Sequence, residues 1–171
     1  MINVRIQVIG ARPIYDRYGR AMQVGDRVTR QANLEMTQHV VSILRRFTPV
    51  GATGNLRNST KGILSKTPQG YRSLVVQDAR SGGGFSYQEV VNRGSRPHFP
   101  PPAALVAWVR AKWGLTGRAA VAGAWRLAVH ISKRGTRPNP YVDKAMAVAR
   151  PGLRAIGRRM GVYYRSMLTR G

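Results

Sequence analysis

The sequence predicts an α+β fold: a roughly four-stranded antiparallel sheet packed against a long N-terminal helix, with additional helices towards the C-terminus. Three observations carry this expectation. Ile2, Val4, Ile6 and Val8 alternate with Asn3, Arg5 and Gln7, the period of a strand with one buried face. Val28, Ala32, Met36, Val40, Leu44 and Phe47 recur every three or four residues, the stripe of an amphipathic helix. After Arg93 the chain changes from short β-branched runs to proline-led stretches with helical periods. At 171 residues, 43% of them hydrophobic, the chain suits one domain over residues 1–171 with a real core.

The elements follow in order. Residues 10–25 are rich in Gly, Arg and Tyr without a sustained period, and read as a flexible loop. Asp26 is the expected N-cap of the first helix, Arg45 and Arg46 suit its last turn, and Thr48-Pro49 should stop it. The glycine-rich turn at Gly51 and Gly54 leads to a strand over 56–66. Leu74, Val75 and Val76 mark a strand over 71–78, and Val90 and Val91 one over 87–92, with Gly82, Gly83 and Gly84 at a hairpin tip between them. Proline 97 and prolines 100–102 then lead into a helix carrying Leu105, Trp108 and Val109. A second helix is expected over about 118–131, with Val121, Trp125 and Leu127. A last helical region begins near Pro140, pauses at Pro151-Gly152 and resumes as a basic helix at about 153–170. Leu153, Ile156, Met160, Tyr164 and Met167 lie on one side of it; Arg154, Arg158 and Arg165 occupy another.

Materials for catalysis are few, and no enzyme is expected. The six acids, Asp16, Asp26, Glu35, Asp78, Glu89 and Asp143, fall in separate elements, so no local pair is offered for acid–base work. The chain has no cysteine, which excludes disulfides, thiolate metal sites and cysteine nucleophiles. His39, His98 and His130 are scattered without ligand spacing, so neither a metal nor a cofactor is implied. The stretch at 51–54 lacks the Gly-Lys ending of a nucleotide loop and follows a helix instead of opening one, which makes it a turn. The most apolar run, 119–131, is interrupted by Arg126 and His130 and is a buried helix, not a membrane span. The N-terminal alternation is unlike a secretory signal, so the chain is expected to stay in the cytoplasm.

Charge dominates what remains. Lys plus Arg number 29 against 6 acids, a formal +23, well above the magnitude of about 2 to 8 that keeps a small domain soluble. DNA, RNA, an anionic membrane and an acidic protein are all suitable neighbours on composition alone. One motif occurs twice: Arg93-Gly94-Ser95-Arg96-Pro97 returns as Arg134-Gly135-Thr136-Arg137-Pro138. Glycine permits a sharp reversal, proline holds an extended exit, and the arginines can grip a carboxylate or phosphate with two parallel bonds. The pair reads either as a twice-used connector or as a contact. For Arg154, Arg158 and Arg165 a solvated helix face is the simpler reading, since aromatics do not alternate with them as a stacking platform needs.

The run from Phe47 to Ser59, with Thr48-Pro49, Thr53-Gly54, Leu56 and Ser59, resembles the signature that follows the first helix in tail-completion and head-to-tail joining proteins of long-tailed bacteriophages. The order that follows is similar too: Tyr87 to Gly94, a proline lead to a helix with Trp108, then Arg134 to Tyr141 and Ala145. The resemblance spans the first helix to about Ala149. It implies an α+β subunit of the virion neck, forming a homo-oligomeric ring, sixfold by expectation, around the DNA conduit and touching connector or tail-tube proteins. The basic charge would then meet acidic subunits or DNA without reading sequence. A free, sequence-independent nucleic-acid-binding protein is the alternative that +23 supports.

Overall fold

The computed structural model describes residues 4–7, 19–80, 86 and 88–169. In chain order these form β1 (Val4–Gln7), α1 (Gly19–Phe47), α2 (Asn55–Asn58), β2 (Thr60–Thr67), β3 (Gly70–Gln77), α3 (Gln88–Arg93), α4 (Pro102–Trp113), α5 (Gly117–Arg134) and α6 (Tyr141–Thr169). The expected glycine tip at 82–84 and most of the loop expected at 10–25 lie outside the described residues. The chain divides into two compact units. A sheet unit lies within Asn3–Phe47, Thr60–Val76 and Asp143–Gly171, and a helical unit contains Thr48–Ser59 and Gln77–Val142.

In the sheet unit the strand order is β1-β3-β2, with β1 and β3 antiparallel and Val4 opposite Val75. The sheet has three strands among the described residues, where the sequence predicted four. Of the segment expected as the fourth, 87–92, the described residues 88–92 lie in helix α3 instead, and part of the one expected at 56–66 is the short helix α2. Helix α1 buries two faces. Its apolar stripe behaves as expected at Ala32, Met36, Val40 and Leu44, all buried. A polar stripe beside it is buried as well: Thr29 donates to the Gly25 carbonyl at 2.8 Å, Asn33 to that of Thr29 at 2.9 Å, and Thr37 to that of Asn33 at 2.6 Å. Each side chain is thus satisfied by its own helix one turn back, so it can be buried without the cost of an unpaired polar group. Ser73 of β3 adds a bond of 3.3 Å to the Asn33 carbonyl, and a β-carbon at Gly62 of β2 would collide with Thr37, so helix and sheet approach closely here.

Helix α6 covers the other face of α1. Ile156, Leu153 and Met160 pack on Ala32 and Met36, and Glu35 is paired with Arg159. Two expected breaks are absent, for related reasons. Asp26 is not an N-cap but lies inside α1, where it accepts a bond of 2.8 Å from the Tyr71 hydroxyl. Gly25 does not end the loop; its buried carbonyl receives the Tyr164 hydroxyl at 2.8 Å. Pro151-Gly152 does not interrupt α6, which runs through as one helix. Any side chain at Gly152 would meet the His39 ring of α1, so the small residue allows close helix packing, which holds the helix together across the bond that Pro151 cannot make.

In the helical unit α4 and α5 pack face to face over Val109, Ala120 and Ala124, with Leu105, Trp108 and Leu127 around them. The proline lead opens α4 as expected, with Pro102 in its first turn, and Gly114 closes it. On α5 the residues that advertised a helix, Val121 and Trp125, face outwards; Phe99 lies against Trp125 at 6.0 Å between ring centroids. A separate buried network joins three polar side chains: Tyr141 donates to Gln77 at 2.6 Å, and Gln77 donates to Thr48 at 2.9 Å. Burial pushes the Tyr141 phenol from 10.0 up to about 12.

The neutral phenol is therefore the folded form. Above pH 10 the unfolded chain releases this proton first, so stability falls between about pH 10 and 12, by roughly 2 to 3 kcal/mol from this group. Tyr141→Phe should cost about 1 to 2 kcal/mol at neutral pH and flatten that part of the alkaline decline. Denaturant melts of both proteins across this pH range check it; parallel declines would show that the phenol is not protected.

Candidate functional site

The two copies of the Arg-Gly-Ser/Thr-Arg-Pro motif grip each other. Each follows a helix whose end its glycine caps: the Gly94 amide donates to Val90 at 2.8 Å at the end of α3, and the Gly135 amide to Ile131 at 2.8 Å at the end of α5. Both glycines have positive φ, 77° and 68°, where a side chain is strained. From there the two exits run antiparallel. Ser95 and Thr136 exchange both backbone bonds at 3.2 Å, and the Thr136 hydroxyl donates to that of Ser95 at 3.0 Å. The one position at which the copies differ is thus the one at which they meet, and both residues there carry a hydroxyl. Two further bonds lock the arrangement, from the Asn139 amide to the Val91 carbonyl at 3.1 Å and from the Val142 amide to the Asn92 side chain at 3.2 Å.

This clasp borders a groove. One cleft of about 600 Å³ has Val91, Leu105, Trp108, Leu127 and Ile131 as its apolar lining, with His130, Arg134 and Arg137 beside them. A second cleft, of about 440 Å³, is lined by the loop from Pro49 to Thr53, by Leu56 and Lys112, and again by Val91 and Trp108. The shared residues make the two clefts neighbours. Among the described residues, no group of three or more His, Asp or Glu side chains is placed to hold a metal, and no helix is long and apolar enough to cross a membrane.

The residues singled out from the sequence separate on this geometry. Arg134 and Arg137 line the first cleft. Arg93 is paired with Glu89 one turn earlier, at 3.1 Å. Arg96 is exposed outside the cleft linings, and its carbonyl is 2.9 Å from His98 Nδ1. Arg154, Arg158 and Arg165 are exposed on α6, in the sheet unit. Gly51 lines the second cleft, and Gly54 caps the start of α2 with a positive φ of 65°. The groove's apolar residues were legible only as core; what could have marked them is their position between the two echoes and beside the Thr-Gly turn.

No protein-family model matches the chain, and no curated protein or solved structure matches it.

A β-carbon at Gly94 would collide with the Thr136 carbonyl, and one at Gly135 with that of Ser95. Gly94→Ala and Gly135→Ala should each destabilise the protein by at least about 2 kcal/mol, combining the left-handed backbone penalty with loss of the bridge. The double variant should lose less than the sum, because the first substitution already opens the shared bridge. Chemical denaturation of the three variants measures this; strict additivity would show that the turns are independent.

Proposed function

We propose that the protein is a structural subunit of the neck of a long-tailed bacteriophage, acting in tail completion. In this reading it assembles as a homo-oligomeric ring, sixfold, at the head-to-tail interface around the DNA path, and touches connector or tail-tube proteins. One observation carries the proposal. Four stretches on which the resemblance rests, the Thr-Pro to Thr-Gly turn, the segment from Tyr87 to Gly94 through its Val91, the helix with Trp108 and the Arg-Gly-Thr-Arg-Pro turn, all contribute to the pair of clefts that share Val91 and Trp108. That convergence supports a surface kept for joining proteins. The arrangement of the groove, large apolar side chains with basic ones beside them, resembles the centre and rim of a protein interface.

The charge supports a second contact. Arg154, Arg158 and Arg165 are exposed along α6. The sequence carries no base-reading motif, so contact with DNA along the conduit would be through phosphates.

Arg96→Ala with Arg137→Ala should leave stability within about 0.5 kcal/mol, both side chains being exposed, while reducing head-to-tail joining in a complementation assay. Normal joining by a folded double variant would reduce the clasp arginines to connectors. Imaging of assembled necks tests the ring directly, and a neck without this subunit would overturn the reading. Binding of the isolated protein to duplex DNA should be indifferent to sequence, and log affinity should fall with log salt at a slope of about 0.9 per phosphate contacted. Binding that survives high salt would instead point to specific recognition.

A further inference from the structure

The groove is selective in its chemistry. Its floor is apolar around Trp108, while Lys112 lines one cleft and Arg134 and Arg137 the other. A phosphate backbone would satisfy the cations and leave the floor uncovered. A purely apolar ligand would cover the floor and leave the cations without partners. Groups of both kinds must arrive together, in an extended arrangement that reaches two neighbouring clefts.

A second copy of this chain is poorly supplied for that task. Of the five described acids, four face cations of their own chain, Asp26 with Lys66, Glu35 with Arg159, Asp78 with Arg80 and Glu89 with Arg93, which leaves Asp143, exposed in the first turn of α6, as a single carboxylate to offer. With a net charge of +23, copies repel each other before any such pair is exchanged. We infer that the groove docks an extended segment of a different protein in which Asp or Glu alternates with large apolar residues. The apolar side chains seat over Trp108 between the two clefts, and carboxylates are held by Arg134 and Arg137, whose planar guanidinium groups suit two-point contact. Alternation is what an extended chain offers a groove of this kind, since successive side chains point to opposite sides. The inference rests on the joining role only for where such a segment would come from; the binding chemistry stands on the groove itself.

The test uses the full chain and a fluorescein-labelled peptide of about ten residues alternating Glu with Leu and Phe, read by anisotropy. The expected result is saturable binding that Arg134→Glu with Arg137→Glu weakens about tenfold or more. Arg154→Glu with Arg158→Glu makes the same change in net charge on α6 and should shift affinity by less than about threefold. A peptide with Ser in place of Leu and Phe should bind about tenfold more weakly. The substituted side chains are all exposed, and melting curves verify that both variants fold. Absence of binding, equal weakening by the two charge-reversed pairs, or equal binding of the Ser peptide would overturn the inference. So would duplex DNA binding more tightly than the peptide through Arg134 and Arg137. Rings that join heads to tails while ignoring the peptide would remove this inference and leave the proposed function standing.

Discussion

The reciprocal bridge between Ser95 and Thr136 is the constraint on which the helical unit depends. Backbone bonds of this kind contribute about 1 kcal/mol each, and here they act on two helix ends at once. Gly94 must release the chain from α3 and Gly135 must release it from α5 for the two exits to meet. Their meeting fixes where Val91 and Ile131 stand, and those side chains, with Trp108 from α4, make the wall that the clefts share or border. The groove is therefore set by backbone geometry as much as by side-chain packing. Two of its cations come with the same turns, since Arg134 closes α5 and Arg137 follows the bridge.

In the sheet unit the corresponding constraint is the double-faced character of α1. A helix with one apolar stripe can cover one partner; this one covers a sheet and a helix. It does so by placing Thr29, Asn33 and Thr37 where their hydrogen bonds close within the helix, leaving methyl and methylene groups to pack outwards. Small residues do the equivalent work from the other side, Gly62 towards Thr37 and Gly152 towards His39. Close packing in this unit is thus bought by glycine and short polar side chains more than by large apolar ones.

How much of this was legible in the sequence follows from how local each signal is. The α1 stripe and the apolar side of α6 are periodic over many residues, the proline entry to α4 acts through proline's own backbone restriction, and the structure keeps all three. Residues 88–93 are too few to show a period, and Val90 and Val91 favour a strand by intrinsic preference. What makes them helical is the Gly94 cap together with bonds to Asn139 and Val142, far along the chain. Asp26 and Pro151 misled for the same reason: each is a boundary signal overridden by tertiary packing, of Tyr71 on one and of α1 against Gly152 near the other. The echoed turns were visible as a motif, and the positive φ of their glycines with it. That they bind each other was not, because repetition in sequence does not state proximity. Arg134 and Arg137 could be named as candidates from the motif, whereas Leu105, Leu127 and Ile131 carry no mark that separates a groove wall from a core.

The pairing of Glu35 with Arg159 spans 124 residues, and the apolar seam beside it, Ile156 on Ala32 and Met36, closes over a similar length. A ribosome adding about 5 to 20 residues per second takes on the order of ten seconds to travel that far. Through that interval α1 has emerged with one sticky face and nothing of its own to put there. The nascent chain is then a client for whatever holds exposed helices in the cell, and completion of this unit waits on the translation of α6.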